Sequence, residues 1–394
     1  MSKIAKASDV IIVGAGPAGA TMAFELARRG IDVLILERSK LPRYKLCGGG
    51  LTWKTIRELP FDVSPIVQKT LYQMVLLRNG SPKVTIQSEE PLVCMTMRDE
   101  FDSFLTMRAC EHGAKLADGQ SVTRIVETSD GYQIDTQSQS YRCEALVGAD
   151  GAHSKVAQSI GLRNKPILGL GLEAEIPVPP NQLALWQDSL IVDFGKLNKG
   201  YGWIFPKRDH LSIGAAAEEI DYRDLKEYYE RFVGDELGID STQPRPLGHF
   251  LPLRKRNMPI QKGRALFVGD AAGLVDPFTG EGIFYAIKSA QIGAIEIAKL
   301  LAHEQTDLTN YQRRVDEEFM PEFSSSFAIS HLIARMPDLA LAVVARRRSL
   351  QKYICQVIRG EKSTLEAGRF LGPLRFLFDS ISQTIIPEHQ PQVG

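Results

Sequence analysis

Four groups of residues in this chain have types and spacings that chemistry could use. The first reads Ile11-Ile12-Val13-Gly14-Ala15-Gly16-Pro17-Ala18-Gly19-Ala20, an apolar run that breaks into G-x-G-x-x-G, with an acid, Glu37, closing the next apolar run. Glycines so spaced suit a dinucleotide. Gly14 permits the tight turn, Gly16 lets a pyrophosphate approach the backbone, and Gly19 lets the following helix pack on its strand. The diphosphate would rest on the helix N-terminus, where unpaired N–H groups and the dipole favour negative charge. Glu37 lies about 20 residues beyond the first glycine, the separation of an acid that accepts ribose hydrogen bonds, so FAD or NAD fits better than NADP.

The second group is the loop Pro42-Arg43-Tyr44-Lys45-Leu46-Cys47-Gly48-Gly49-Gly50. Three successive glycines allow backbone geometry closed to other residues, so the loop can lie flat against a planar ligand. Cys47 is either a reactive thiol or a small buried hydrophobe. The third group is a pair of strand ends that run into a glycine and an acid, Gly148-Ala149-Asp150-Gly151 and Gly269-Asp270-Ala271. Open α/β sheets present ligand contacts at such ends, with Asp270 placed to accept from ribityl hydroxyls. Beyond Asp270, Gly280-Glu281-Gly282-Ile283 opens a helix whose positive end would stabilise negative charge on a reduced flavin. The fourth group is Gly200-Tyr201-Gly202-Trp203-Ile204-Phe205-Pro206. Tyr201, Trp203 and Phe205 share one face of a strand, forming either sheet core or an aromatic wall.

Positioning these groups takes a strand-turn-helix-strand unit over 11–37 and a helix from Arg98 with acids in its first turn and a stop at Gly113. Hairpin-like runs follow at 121–127 and 131–137. A β-rich stretch over 169–253 alternates at 172–176, 190–194, 201–205 and 211–215, broken by one amphipathic helix near 222–232. The strand at 264–273 precedes a helix over 284–301, and the chain from about Leu308 reads as helical. At 394 residues, two or three structural regions are expected. Lys plus Arg and Asp plus Glu each total 47, and zero net charge argues against a nucleic-acid protein. Five cysteines without a C-x-x-C pair indicate neither a disulfide framework nor a metal site, and point to a reducing cytosol. Met1 to Ser8 precedes no apolar signal core, and no apolar run approaches the ~18 residues of a spanning helix.

GAGPAG at 14–19, GADGAHS at 148–154 and GDAAGLVDPFTGEGI at 269–283 together resemble the FAD-dependent family with the p-hydroxybenzoate hydroxylase fold. PRYKLCGGG at 42–50 and YGWIFP at 201–206 resemble the geranylgeranyl reductases within it. Two departures stand out: Ala157 where relatives often have arginine, and Gly214-Ala215-Ala216 in place of G-x-G. The resemblance implies an α/β fold: a Rossmann-like FAD-binding domain (1–60, 95–165 and 255–305), an inserted β-rich substrate domain (61–94 and 166–254) and a C-terminal helical region (306–394). It implies FAD held by Gly14, Gly16, Ala18, Gly19, Glu37, Arg38, Cys47, Gly48, Gly49, Arg98, Asp150, Gly269, Asp270, Gly280, Gly282 and Ile283. Tyr201, Trp203, Phe205 and Pro206 would line an isoprenoid cavity. Electrons would come from NADPH or from reduced ferredoxin or another donor protein.

An isolated alkene has no carbonyl to accept hydride density, so its reduction must pair hydride delivery with proton delivery. Trp203, Tyr201 and Phe205 would stabilise the positive charge developing at the tertiary carbon. Cys47 or Tyr201 would supply the proton. Monooxygenases and halogenases use the same scaffold, but halogenases usually show W-x-W-x-I-P where this chain has Tyr201 and Phe205. A non-catalytic prenyl-binding escort is a third reading, disfavoured by the intact glycines. Residues 328–394 hold nine basic and five acidic side chains among apolar stretches. That pattern suits either a helical cap or peripheral contact with anionic lipid, so the expected location is cytoplasmic with or without membrane contact.

Overall fold

Four apolar residues, Val10, Ile11, Ile12 and Val13, run consecutively along the first strand, and all are buried. A strand covered on both faces and flanked by parallel neighbours reads as an unbroken apolar run, and this one is so placed. The computed structural model describes residues 6–234, 237–239, 244–370 and 375–384. In it β1 (Lys6–Val13) pairs in parallel with β2 (Val33–Glu37) and with the strand Ser140–Gly148. The helix α1 (Pro17–Ala27) packs against the helices Arg98–Glu111 and Ile283–Leu301. The sheet continues outward through Lys115–Asp118 on one side and Ala265–Phe267 on the other, and the hairpin Val122–Thr128 with Gly131–Thr136 is attached to Ser140–Gly148. Gly14, Glu37, Gly148 and Gly269 all follow or end such strands, so one edge of the sheet gathers the first and third groups.

A second, seven-stranded sheet is ordered Leu247–Leu253, Ile167–Pro177, His210–Glu218, Gly200–Pro206, Ser189–Asp193, Gln73–Arg78, Ser81–Gln87. Its side chains alternate cleanly. Leu172, Ile191, Ile204, Ile213 and Ala215 enter a core with Leu225, Tyr229 and Phe232 of the helix Tyr222–Gly234. Their sequence neighbours Glu173, Leu190, Val192, Trp203 and Phe205 line a cavity on the other face. Gly50–Thr52, Val93–Thr96 and Val67–Leu71 form a small third sheet.

The helix Thr309–Arg335 carries 27 residues, about 40 Å at 1.5 Å per residue. Tyr311, Phe319 and Phe323 anchor it on the nucleotide-domain core, while Ile329 and Leu332 further along border the cavity. Pro337–Arg346 and Arg348–Ile358 then close over the second sheet through Leu341 and Cys355. The parts of the expected helical region at 371–374 and 385–394, including Glu388, lie outside the described residues. Among those described, no single helix is long and apolar enough to cross a membrane.

Candidate active site

The three glycines of the first turn do three different things. Gly14 has φ +108° and faces the backbone of Ala149, so only glycine can take the turn. A Cβ on Gly19 would collide with the carbonyl oxygen of Gly14, which is how close α1 comes to the strand. Around Gly16 the space is open, its nearest neighbour being the Arg43 guanidinium at 4.0 Å. Gly16 is also the N-cap of α1, with no side chain capping the helix. An open approach onto uncapped amides is what a diphosphate requires. Glu37 is buried, accepting from the amides of Ala15 at 2.9 Å and Ser39 at 3.0 Å, and Arg43 Nε lies 3.4 Å away.

Arg43 continues to Asp102 at 3.0 Å, and Arg98 grips Asp102 through Nε at 2.8 Å and Nη2 at 3.0 Å. Burial opposes the charge on Arg98, but Asp102 and a hydrogen bond with Cys47 raise its pKa further above its ordinary value. The buried ammonium of Lys207, the residue after YGWIFP, donates to the carbonyls of Gly48 at 2.6 Å and Thr96 at 2.9 Å. Two cations from different elements therefore fix the Cys47 loop. On its far side Lys45 Nζ lies 2.9 Å from His249 Nε2, which lies 3.6 Å from Asp270. Burial would raise the Asp270 carboxyl, but contact with His249 and the charge of Lys45 hold it below the usual range.

The loop before the helix Ile283–Leu301 turns on Asp276, whose Oδ1 accepts from Phe278 N, Thr279 N and Thr279 Oγ1, and whose Oδ2 accepts from Ser326 at 2.7 Å. Glu281 is held by Lys54 at 2.7 Å and Thr52 at 2.6 Å. Gly282 caps the helix without a side-chain partner, leaving a second uncapped N-terminus at the cavity. Tyr201 donates its hydroxyl to the Thr279 carbonyl, and burial with Asp276 and Glu281 pushes its pKa up. Trp203 and Phe205 continue the wall, ring centroids 5.9 Å apart. The buried Trp203 Nε1 has no protein partner.

Most of these parts border one cavity of about 1560 Å³, whose lining runs from Gly14, Gly16 and Glu37 to Leu341, Val344 and Ile358 of the C-terminal helices; Lys207 and Asp102 are not on it. A site for one drug-sized ligand measures roughly 300–1,000 Å³, so there is room for a dinucleotide and a second, apolar molecule. Ala18, Arg38, Cys47, Gly48, Gly49, Arg98, Asp150, Asp270, Gly280, Gly282, Ile283, Tyr201, Trp203 and Phe205 lie on that lining. Three expected contacts do not. Gly19 is spent on helix packing; Gly269 is wedged between Ala18 and Ala286; Pro206, buried at the end of its strand, points off the wall. Asp150 lines the cavity, yet its oxygens are engaged locally, by Ser154 Oγ at 2.6 Å and Val156 N at 3.1 Å. The sequence reading missed Lys207, Glu173, Asp276, Glu281 and the Arg43–Asp102 pair.

A Rossmann-type sheet with two uncapped helix ends, an acid at β2 and an orphaned indole N–H over an apolar chamber fits a bound flavin dinucleotide. The profile of the FAD binding domain family matches residues 7–316, and the chain is an FAD-dependent oxidoreductase. The digeranylgeranylglycerophospholipid reductase of Methanocaldococcus jannaschii is 26% identical over 91% of this chain and 96% of its own. A geranylgeranyl bacteriochlorophyll reductase-like protein of Thermoplasma acidophilum superposes with a TM-score of 0.80 at 21% identity, covering 94% of this chain and 99% of that one. A flavin-dependent brominase shares the fold with a TM-score of 0.74 at 18% identity, over 95% of this chain and 100% of that one. The chain belongs to the FAD binding domain family and is similar, within it, to geranylgeranyl-type reductases.

Proposed function

We propose that this protein saturates isolated C=C bonds in isoprenoid chains of the geranylgeranyl type. The observation that carries the reading is the continuity of one apolar cavity from the dinucleotide cradle, past Tyr201, Trp203 and Phe205, to the C-terminal helices. Bound FAD, when reduced, supplies the hydride. The chain's own residues do the rest. Met74, Leu76, Leu190 and Val192 bind the prenyl chain and exclude water, and the aromatic faces offset positive charge at the tertiary carbon. Of the two proton donors weighed, Tyr201 is the poorer, because its hydroxyl is committed to Thr279 and burial makes it a weaker acid. The Cys47 thiol, held beside Arg98 and bordering the cavity, is the donor in this reading.

Mass spectrometry of products, after anaerobic incubation of dithionite-reduced protein with a panel of geranylgeranyl compounds, tests the assignment. Mass gains of two per bond are expected. Substrate-coupled oxygen uptake with an oxygenated or halogenated product would instead place the chain with the monooxygenases or with the brominase-type enzymes. Tyr201 and Phe205, in place of tryptophan and isoleucine, argue against the latter.

Peripheral contact with membrane belongs to the same reading, since a prenyl lipid must leave a bilayer to reach the cavity. It is supported by exposed Leu339 beside the consecutive exposed Arg346, Arg347 and Arg348. Co-sedimentation with anionic but not zwitterionic vesicles checks it.

A further inference from the structure

The cavity face of the second sheet is apolar except along one line. Glu173 and Glu175, two apart on Ile167–Pro177, share that face with Ser212 of the neighbouring strand. Glu173 is 3% exposed, borders the cavity and accepts from Ser212 Oγ at 2.6 Å. Glu175 Oε2 lies 2.9 Å from His210 Nε2, and His210 Nδ1 lies 2.7 Å from Asp209 Oδ1, whose side chain is 83% exposed. Asp209, His210 and Glu175 are in contact in that order from solvent inward, and Glu173 lies two residues along the strand from Glu175, on the cavity lining. The Glu175 carboxylate opposes ionisation of Glu173.

Facing Glu173 are Glu175, Lys207, Lys45 from the Cys47 loop, Tyr44 from the same loop and Tyr229 from Tyr222–Gly234. Burial, with Glu175 adding to it, raises Glu173 to about 7, while Ser212, Lys207 and Lys45 pull the other way. Contacts with Glu175 and Asp209 outweigh burial and raise His210. A buried carboxyl that titrates near neutrality exchanges protons readily in both directions.

The proposed reaction makes such a group necessary. Each reduction takes one proton from Cys47 in a water-poor chamber, and the thiolate must be reprotonated before the next. Lys207 links the two sites. Its Nζ is bonded to Gly48 next to Cys47, and its charge is felt by Glu173, Glu175 and Cys47.

We propose that Glu173 passes protons from solvent into the cavity by way of Glu175 and His210, reloading the Cys47 thiol after each reduction. The inference rests on the isoprenoid-reductase reading. In sequence, the Cys47 S–H bond breaks as its proton joins one alkene carbon and hydride joins the other. The Glu173 O–H proton then moves to the thiolate, and imidazolium at His210 restores it through Glu175. Per bond reduced, one solvent proton travels this path, and the second hydrogen arrives as hydride from the reduced flavin, whose re-reduction takes up two electrons and a further proton.

The test uses the FAD-loaded full chain, with dithionite as reductant and geranylgeranyl diphosphate as the prenyl probe. In Glu173→Gln the first turnover should proceed within about threefold of wild type, because it needs no reloading of Cys47, while steady-state turnover at pH 7 falls at least tenfold. A purely structural role would slow both equally, and that result, or an unchanged steady state, overturns the proposal. A second readout needs no substrate. Infrared difference spectra between pH 5 and 9 should show a protonated-carboxyl band titrating near neutrality, lost in Glu173→Gln and shifted in midpoint by His210→Gln. A band that survives Glu173→Gln, or no such band in wild type, also overturns it. If wild type fails to reduce any geranylgeranyl compound, the isoprenoid reading falls and the infrared titration alone decides the role of Glu173.

Discussion

The ammonium of Lys207 lies 2.6 Å from the carbonyl oxygen of Gly48, joining the end of the aromatic strand to the cysteine loop. Its second bond, to Thr96 at 2.9 Å, ties in the small third sheet, so one buried cation holds three segments in register. Hydrogen bonds to a charged group are worth roughly 1.5–3 kcal/mol each, and Lys207→Met deletes two while leaving two carbonyls unpaired. The expected outcome is a drop in kcat of ten- to a hundredfold with flavin content retained, since Gly14 and Gly16 are untouched. Flavin absorbance per chain, measured beside turnover, checks it; a variant that emerges colourless would contradict the separation of roles.

Gly16 and Gly19 should fail in different ways. Gly16 faces open space, so Gly16→Val can fold but blocks the diphosphate, and the purified protein should be folded and lack bound FAD. Gly19 touches the Gly14 carbonyl, so Gly19→Ala forces α1 off its strand and should lower stability by ~2–3 kcal/mol, as overpacked cores do. Circular dichroism melts and flavin stoichiometry on the pair separate the two roles.

These differences mark what the residue string could carry. The glycine turn, β2 with its acid and the period-two aromatics of Gly200–Pro206 are local signals, and each appears where its pattern placed it. Lys207 continues the same alternation, so its side of the strand was readable; that its charge is buried was not. Glu173 and Glu175 were hidden for a physical reason. Acids alternating with Leu172, Ala174 and Ile176 spell a half-solvated strand, and only tertiary closure by the Cys47 loop makes that face an interior. Gly269 and Pro206 lie off the cavity lining, because motif membership does not say which way a residue faces.

Glu173 also predicts how stability depends on pH. Its pKa in the folded chain, about 7, exceeds the ordinary 4.5, so the folded state keeps a proton that the unfolded chain releases. Stability from this group is intact below about pH 4.5 and is lost as pH rises towards 7. The loss is on the order of 3 kcal/mol. Glu173→Gln removes the titration while keeping the Ser212 contact. The melting-temperature difference between variant and wild type should therefore be near zero at pH 4.5 and grow in favour of the variant by pH 8. A difference independent of pH would mean that Glu173 is not held protonated.

Trp203 offers a test in which stability and activity should move in opposite directions. Its indole lies over Gly214, where any Cβ would strike the ring, and its buried Nε1 has no protein partner. A buried donor left unpaired costs about 1–3 kcal/mol, which a folding argument alone does not justify. Trp203→Phe keeps an aromatic face on the wall and removes the N–H, so the protein without ligand should melt at the same temperature or higher. If the N–H is held for flavin or substrate, the same variant should lose about tenfold in turnover. Trp203→Phe with full activity would assign the indole to packing alone, and Gly214→Ala, which displaces the ring, would then be expected to cost stability without a separate loss of turnover.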